Sequence, residues 1–276
     1  MRTLRILLVF SLLYGASGVR AATFNDVYVF GDSLSDTRVG VSNGPLWAEY
    51  FVPLLGLSYN ESHNYAVAGS TTDQILDQVA FYELFNRADP NALYVVWGGG
   101  NDLLRGQSAT AAADNVVAAI NSLSAFGARN FLVPNLPDLG LIPRGLESGM
   151  SQLFTDAALS FNDRLGAGLS GSGAFIGDVF GLHRQVYADP AAFGFADVTH
   201  SCLDTLGALA CSDEDIAYFF WDDIHPTTLG HELIGQSLVA AVPLPASALL
   251  LLSGLASLTG WFLHGKKKAA RSARPV

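Results

Sequence analysis

Between positions 22 and 243 the chain contains no lysine. Seven arginines stand there against all 25 acidic residues, a formal charge of −18. A domain of that sign is repelled by nucleic-acid phosphates and by anionic lipid faces, so neither is expected as a partner. Cysteine is almost as scarce. Cys202 and Cys211 are the only two, with eight residues between them. That excludes a disulfide-dense scaffold and a cysteine-rich metal centre. In an exported chain such a pair is expected to close one local disulfide. No histidine or cysteine pair stands at ligand spacing nearby, so no metal is expected, and the glycine-rich stretches lack the lysine of a phosphate-binding P-loop.

Acidic charge is missing from both ends in a patterned way. The segment 1–21 has no acid, and Arg2 and Arg5 precede an apolar run that ends in small residues at "GVRA". This is the form of a secretory signal peptide, cut near Ala21. Residues 244–263 carry no charge, about the 20 residues a helix needs to span a bilayer. Lys266, Lys267, Lys268, Arg271 and Arg274 follow, which orients this tail toward the cytoplasm. The expected organisation is a signal peptide over 1–21, a domain over 22–242 and a hydrophobic tail over 243–276. The tail resembles the PEP-CTERM sorting signal, with "VPLPAS" where that signal usually has a Pro-Glu-Pro core and Leu244 in place of the acid. The resemblance implies a Gram-negative host and handling by signal peptidase and an exosortase-type enzyme. It further implies transient passage through the inner membrane, and surface or extracellular delivery. A plain tail anchor facing the periplasm is the alternative.

The interior alternates short apolar runs with helical patterns. Strands are expected at Val27–Phe30, Ala92–Gly100, Arg129–Asn135 and Gly173–Phe180, with a weaker one near 57–60 or 63–67. Helical spacing of apolar residues covers 71–87, 109–127, 149–170 and 227–242. Such alternation implies βαβ units and a mainly parallel sheet with helices on both faces, whose site lies beyond the carboxyl ends of the strands. The stretch 187–218 shows no periodicity and reads as a long excursion.

Four polar clusters fall at strand ends or helix starts. "FGDSLSDT" puts Ser33 directly after the first strand, with Asp32 suited to stabilising the turn and Asp36 to a first helical turn. "NYAVAG" places Gly69 at the end of an extended segment. "GGGND" places Asn101 after a strand. "WDDIHPT" sets Asp222 three residues before His225, a spacing that lets a carboxylate orient an imidazole on a tight turn. His63, His183 and His200 have loop-like surroundings, and His231 falls on the following helix. Taken singly, each cluster can be an ordinary turn or helix cap.

In this order the four blocks resemble those of the GDSL, or SGNH, hydrolases, over about residues 24–240. The resemblance implies a three-layer α/β/α, flavodoxin-like fold with a mainly parallel five-stranded sheet. It implies Ser33 as nucleophile, His225 as base and Asp222, in preference to Asp223, as its orienting acid. Gly69 and Asn101 become oxyanion donors beside the Ser33 N–H. Ala68 stands where many relatives have a further glycine. The expected activity is that of an exported esterase or lipase acting through an acyl-enzyme, with no cofactor. The alternatives are an acetyl esterase acting on exopolysaccharide and an inactive surface-binding scaffold. "AYFFWDD" is expected to place Phe219 and Phe220 either in an acyl pocket or in the core.

Overall fold

A computed structural model describes residues 24–213 and 216–243. The expected signal peptide and the 244–263 span lie outside the described residues. Among those described, no helix is long and apolar enough to cross a membrane.

Four strands form the main sheet: β1 (Val27–Gly31), β2 (Leu93–Trp97), β3 (Asn130–Pro134) and β4 (Phe175–Gly177). They are hydrogen-bonded in the order β1-β2-β3-β4, every pair parallel. All five residues of β2, Leu-Tyr-Val-Val-Trp, are buried, the continuous apolar run of a strand covered on both faces. The expected fifth segment lies beside β1 at 64–67. Tyr65 N–H donates to the Val29 carbonyl at 2.7 Å and Val67 N–H to that of Gly31 at 3.1 Å. It stays an isolated bridge at Asn64 rather than a full ladder. The reason is that the Gly31 N–H is turned to the Gln78 side chain and has no bond left for it.

The helices are α1 (Trp47–Leu54), α2 (Thr72–Phe85), α3 (Gly100–Leu104), α4 (Ala109–Phe126), α5 (Pro143–Glu147), α6 (Ser151–Gly168) and α7 (Val179–Ala188). A two-stranded parallel sheet of β5 (Asp197–Ser201) and β6 (Tyr218–Phe220) follows, with α8 (Cys202–Leu206) and α9 (Ala208–Cys211) between its strands and α10 (Thr228–Val239) after it. Helix α4 packs on α2 and α6, while α1 packs on α10, which touches α7. These two groups are the outer layers of an α/β/α sandwich. The core between them is aromatic, with Trp47 and Trp97 meeting edge to face at 5.7 Å.

Three sequence expectations change. The run 173–180 is not one strand, because Asp178 accepts the Gly181 N–H and starts α7, which carries His183 out of any loop into the buried interior. The aperiodic 187–218 stretch contains β5 and two short helices, α8 and α9, stapled by a Cys202–Cys211 disulfide. No helix follows Ser33: residues 32–38 are turns and bends. Asp36 therefore supports no helix dipole. It accepts the Ala68 N–H at 3.0 Å and pairs with Arg38 at 2.8 Å, fixing the loop before Gly69.

Candidate active site

The first strand ends at a glycine because its neighbour leaves no room. A Cβ on Gly31 would lie 2.4 Å from the Trp97 carbonyl oxygen of β2. The end of β1 is clamped from the other side by buried Gln78, whose Oε1 accepts the Gly31 N–H at 2.9 Å and whose Nε2 donates to the Gly31 carbonyl at 2.8 Å. The turn beyond is closed by Asp32, as the sequence suggests: its side chain accepts the Leu34 N–H at 3.0 Å, and its carbonyl accepts those of Ser35 and Asp36 at 3.0 Å each. Ser35 is buried beneath, accepting Trp47 Nε1–H at 3.1 Å. Ser33 is left as the half-buried side chain at the tip.

His225 comes to Ser33 from a position 192 residues away. It sits on the turn between β6 and α10, fixed by Trp221 N–H donating to the His225 carbonyl at 2.7 Å. Ser33 Oγ and His225 Nε2 are 2.7 Å apart. On the opposite side of the ring, Nδ1 is 2.8 Å from Asp222 Oδ2. A carboxylate can only accept, so Nδ1 carries the hydrogen and Nε2 is free to accept from the serine hydroxyl. Asp222 Oδ1 accepts the backbone N–H groups of Ile224 and His225 at 2.8 and 2.6 Å. Burial alone raises the Asp222 carboxyl. The hydrogen bond from His225, that ring's charge and the two backbone donors outweigh it and hold the group below the usual carboxylate range. Asp223 is engaged elsewhere, accepting from Arg144 Nε at 2.7 Å.

Gly69 and Asn101 line the same cavity as Ser33 and His225. Gly69 has φ +79°, a conformation only glycine adopts cheaply, and its carbonyl is turned outward to accept from Arg105 at 2.9 Å. Asn101 Nδ2 donates to the Ser70 carbonyl at 3.0 Å and approaches Asp32 Oδ2 at 3.5 Å. Asn64 and Asp102 hold the surrounding loops: Asn64 donates to the Ser35 carbonyl at 2.6 Å, and Asp102 accepts the Thr72 hydroxyl at 2.7 Å. Phe219 and Phe220 are both core residues and cavity wall. Among the described residues no group of three or more His, Cys, Asp or Glu could hold a metal ion.

Sequence reasoning missed Gln78. Its signal was a polar residue inside the apolar stripe Ile75, Val79, Tyr82 of α2, all buried with it.

The sequence pattern of the GDSL-like Lipase/Acylhydrolase family matches residues 27–238. The chain belongs to that family. Among curated relatives, Lipase 1 of Photorhabdus luminescens is 26% identical, the alignment covering 84% of this chain and 52% of that protein. Esterase EstA of Pseudomonas aeruginosa is 29% identical, with 81% and 41% covered. The chain thus spans about half the length of the curated relatives it matches. A member of the lipolytic G-D-S-L family from Veillonella parvula, of known crystal structure, shares the fold at TM-score 0.55 and 17% identity, covering 78% of this chain and 96% of that one.

Proposed function

We propose that this GDSL-family chain hydrolyses carboxylic esters through an acyl-enzyme on Ser33. The observation that carries the reading is the hydrogen-bonded series Ser33 Oγ, His225 Nε2, His225 Nδ1, Asp222 Oδ2, with both links under 3 Å, opening into a cavity that Gly69 and Asn101 also line. His225 takes the Ser33 proton as Oγ bonds to the ester carbonyl carbon. The carbonyl oxygen becomes an oxyanion, met by the Ser33 and Gly69 N–H groups and the Asn101 amide. The bond from carbon to the alcohol oxygen breaks, and His225 returns the proton to the departing alcohol. Water then repeats the sequence, and the acid leaves with Ser33 restored. Asp222 stays ionised and keeps the hydrogen on Nδ1. The intact series favours turnover over an inactive scaffold.

Export is part of the proposal. It is supported by the signal-peptide form of 1–21, by the Cys202–Cys211 disulfide and by the charge pattern of 243–276. We read those tail residues as a PEP-CTERM-like signal cut by an exosortase-type enzyme. Mass spectrometry of the mature protein's two termini tests both cuts.

The test of the chemistry is a fluorophosphonate adduct located by peptide mass spectrometry, beside hydrolysis of p-nitrophenyl esters. An adduct on Ser33 and turnover lost in Ser33→Ala are expected. Folded protein with neither adduct nor turnover would return the chain to a binding role.

A further inference from the structure

The cavity at Ser33 is lined by residues that follow all four strands of the main sheet: Leu34 after β1, Trp97 and Leu104 at and after β2, Leu136 and Ile142 after β3, Leu182 and His183 after β4. It therefore runs along the carboxyl edge of the sheet. Three strand spacings of ~4.8 Å make that edge about 14 Å long. The cavity volume is about 350 Å³. That is room for roughly ten methylene-sized groups, taking ~30 Å³ for each, as for a water molecule.

Its walls are apolar away from the reacting atoms. Asp32, Ser33, Asn101 and His225 belong to the end where bonds are made, and the polar side chain outside that group is His183. His183 is 2% exposed and stacks on Phe219 with ring centroids 5.6 Å apart. Burial pushes it down to about 4, the charge and backbone of Asp138 opposing this and the Arg184 charge adding to it, so the ring is neutral in the working range. The neighbouring Arg184 turns out to Asp138 at 2.9 Å. Among the described residues lining the far half of the cavity there is no charged side chain.

We propose that the acyl half of the substrate is an unbranched aliphatic chain of about eight to ten carbons, laid along the sheet edge from Ser33 toward His183. The inference rests on the esterase reading above. An acetyl group would leave most of the apolar volume empty. A chain of eight to ten carbons, with ~1.5 Å bonds, reaches about 9–11 Å and fits within the edge. A chain of sixteen does not. Each methylene transferred from water strengthens transition-state binding by roughly threefold to fourfold until the cavity is full.

The experiment is kcat/KM of the full chain for p-nitrophenyl esters from acetate to palmitate. The expected profile rises through butyrate and hexanoate, peaks at octanoate to decanoate at least a hundredfold above acetate, and falls by palmitate. Leu182→Trp fills the β4 end, and the decanoate-to-butyrate ratio should then fall at least tenfold, whereas a general folding defect lowers both esters together. Should that variant not fold, sodium decanoate against sodium acetate as competing products of the native protein reads the same cavity, decanoate inhibiting at a concentration at least tenfold lower. A peak at acetate, or an unchanged ratio in folded Leu182→Trp, overturns the proposal while the esterase reading stands. Absence of turnover on every ester takes both down.

Discussion

A serine hydroxyl is a weak nucleophile, and Ser33 owes its reactivity in the proposed reaction to a single 2.7 Å contact with His225. That contact is useful only while Nδ1 holds the hydrogen. Asp222→Asn offers an amide that can turn an N–H toward Nδ1 and favour the other tautomer. Its kcat on the best ester should fall about 10⁴-fold with KM little changed. Asn101→Ala removes one of the proposed oxyanion donors and should cost about 10²–10³ in kcat, again with little change in KM. Asp32 tests burial instead of chemistry. Desolvation raises it from 3.8 to about 6, the Leu34 N–H and the His225 charge opposing and the Asp102 charge adding. An acid whose folded value exceeds its unfolded one binds its proton more tightly when folded, so the native state loses stability as pH rises from about 4 to about 6. Two units correspond to a ceiling of about 3 kcal/mol. Asp32→Asn lacks that loss, and urea unfolding at pH 4 and pH 7 measures the difference. Equal pH slopes in the two proteins would remove the burial account.

At the scale of elements, two supports hold the site from outside. Gln78 on α2 bonds both backbone groups of Gly31. Gln78→Met keeps the bulk and strands the buried Gly31 N–H, at about 1–3 kcal/mol, while the Gly31 carbonyl keeps the Val67 N–H; a melt of purified variant should register it. The second support is the disulfide segment. Ser201 and Leu203, on either side of Cys202, both donate to the Trp221 carbonyl, at 3.4 and 3.0 Å, and Trp221 precedes Asp222. At the other end Asn43 Nδ2 donates to the Asp213 carbonyl at 2.8 Å while its Oδ1 accepts the Thr228 N–H at 2.8 Å. Replacing both cysteines by alanine should lower stability by about 2–3 kcal/mol for so short a loop. It should also lower kcat, because the His225 turn loses its brace. The strands of the main sheet, the long helices and the blocks around Ser33, Gly69, Asn101 and His225 were legible in the sequence because period and local spacing encode them, whereas β5 and β6 were not. The Gly31 clamp and the Trp221 brace were not, since each joins segments far apart in the chain with no local pattern to announce it. Helix α7 was hidden for a different reason: "GAFIGDVF" reads as one apolar run, and the Asp178 cap that divides it acts through a single hydrogen bond.

For the molecule as a whole, two buried imidazoles are expected to weaken stability in acid. His183 and His231 are 2% and 0% exposed, and among the described residues the His231 ring nitrogens have no hydrogen-bond partner. Burial lowers His183 to about 4, against Asp138 and with Arg184; it lowers His231 to about 3, with the His225 charge adding. Each folded value lies below the unfolded 6.5, so the unfolded chain takes up these protons first. Stability is then complete above about 6.5 and falls as pH drops toward 4, by several kcal/mol for the pair at 1.36 kcal/mol per unit. Asp32 works in the opposite direction over part of this range. The double replacement His183→Phe with His231→Leu should flatten the decline between pH 7 and pH 4.5, read by urea unfolding. The separation of 192 positions from Ser33 to His225 carries one more consequence, which concerns time. If the chain crosses a membrane amino end first, as proposed, its proposed nucleophile arrives early and its base nearly last. For most of that passage Ser33 would lack its His225 contact, and the surrounding lipid esters would face an inert polypeptide. The pair would form only once the turn between β6 and α10 brings His225 to Ser33.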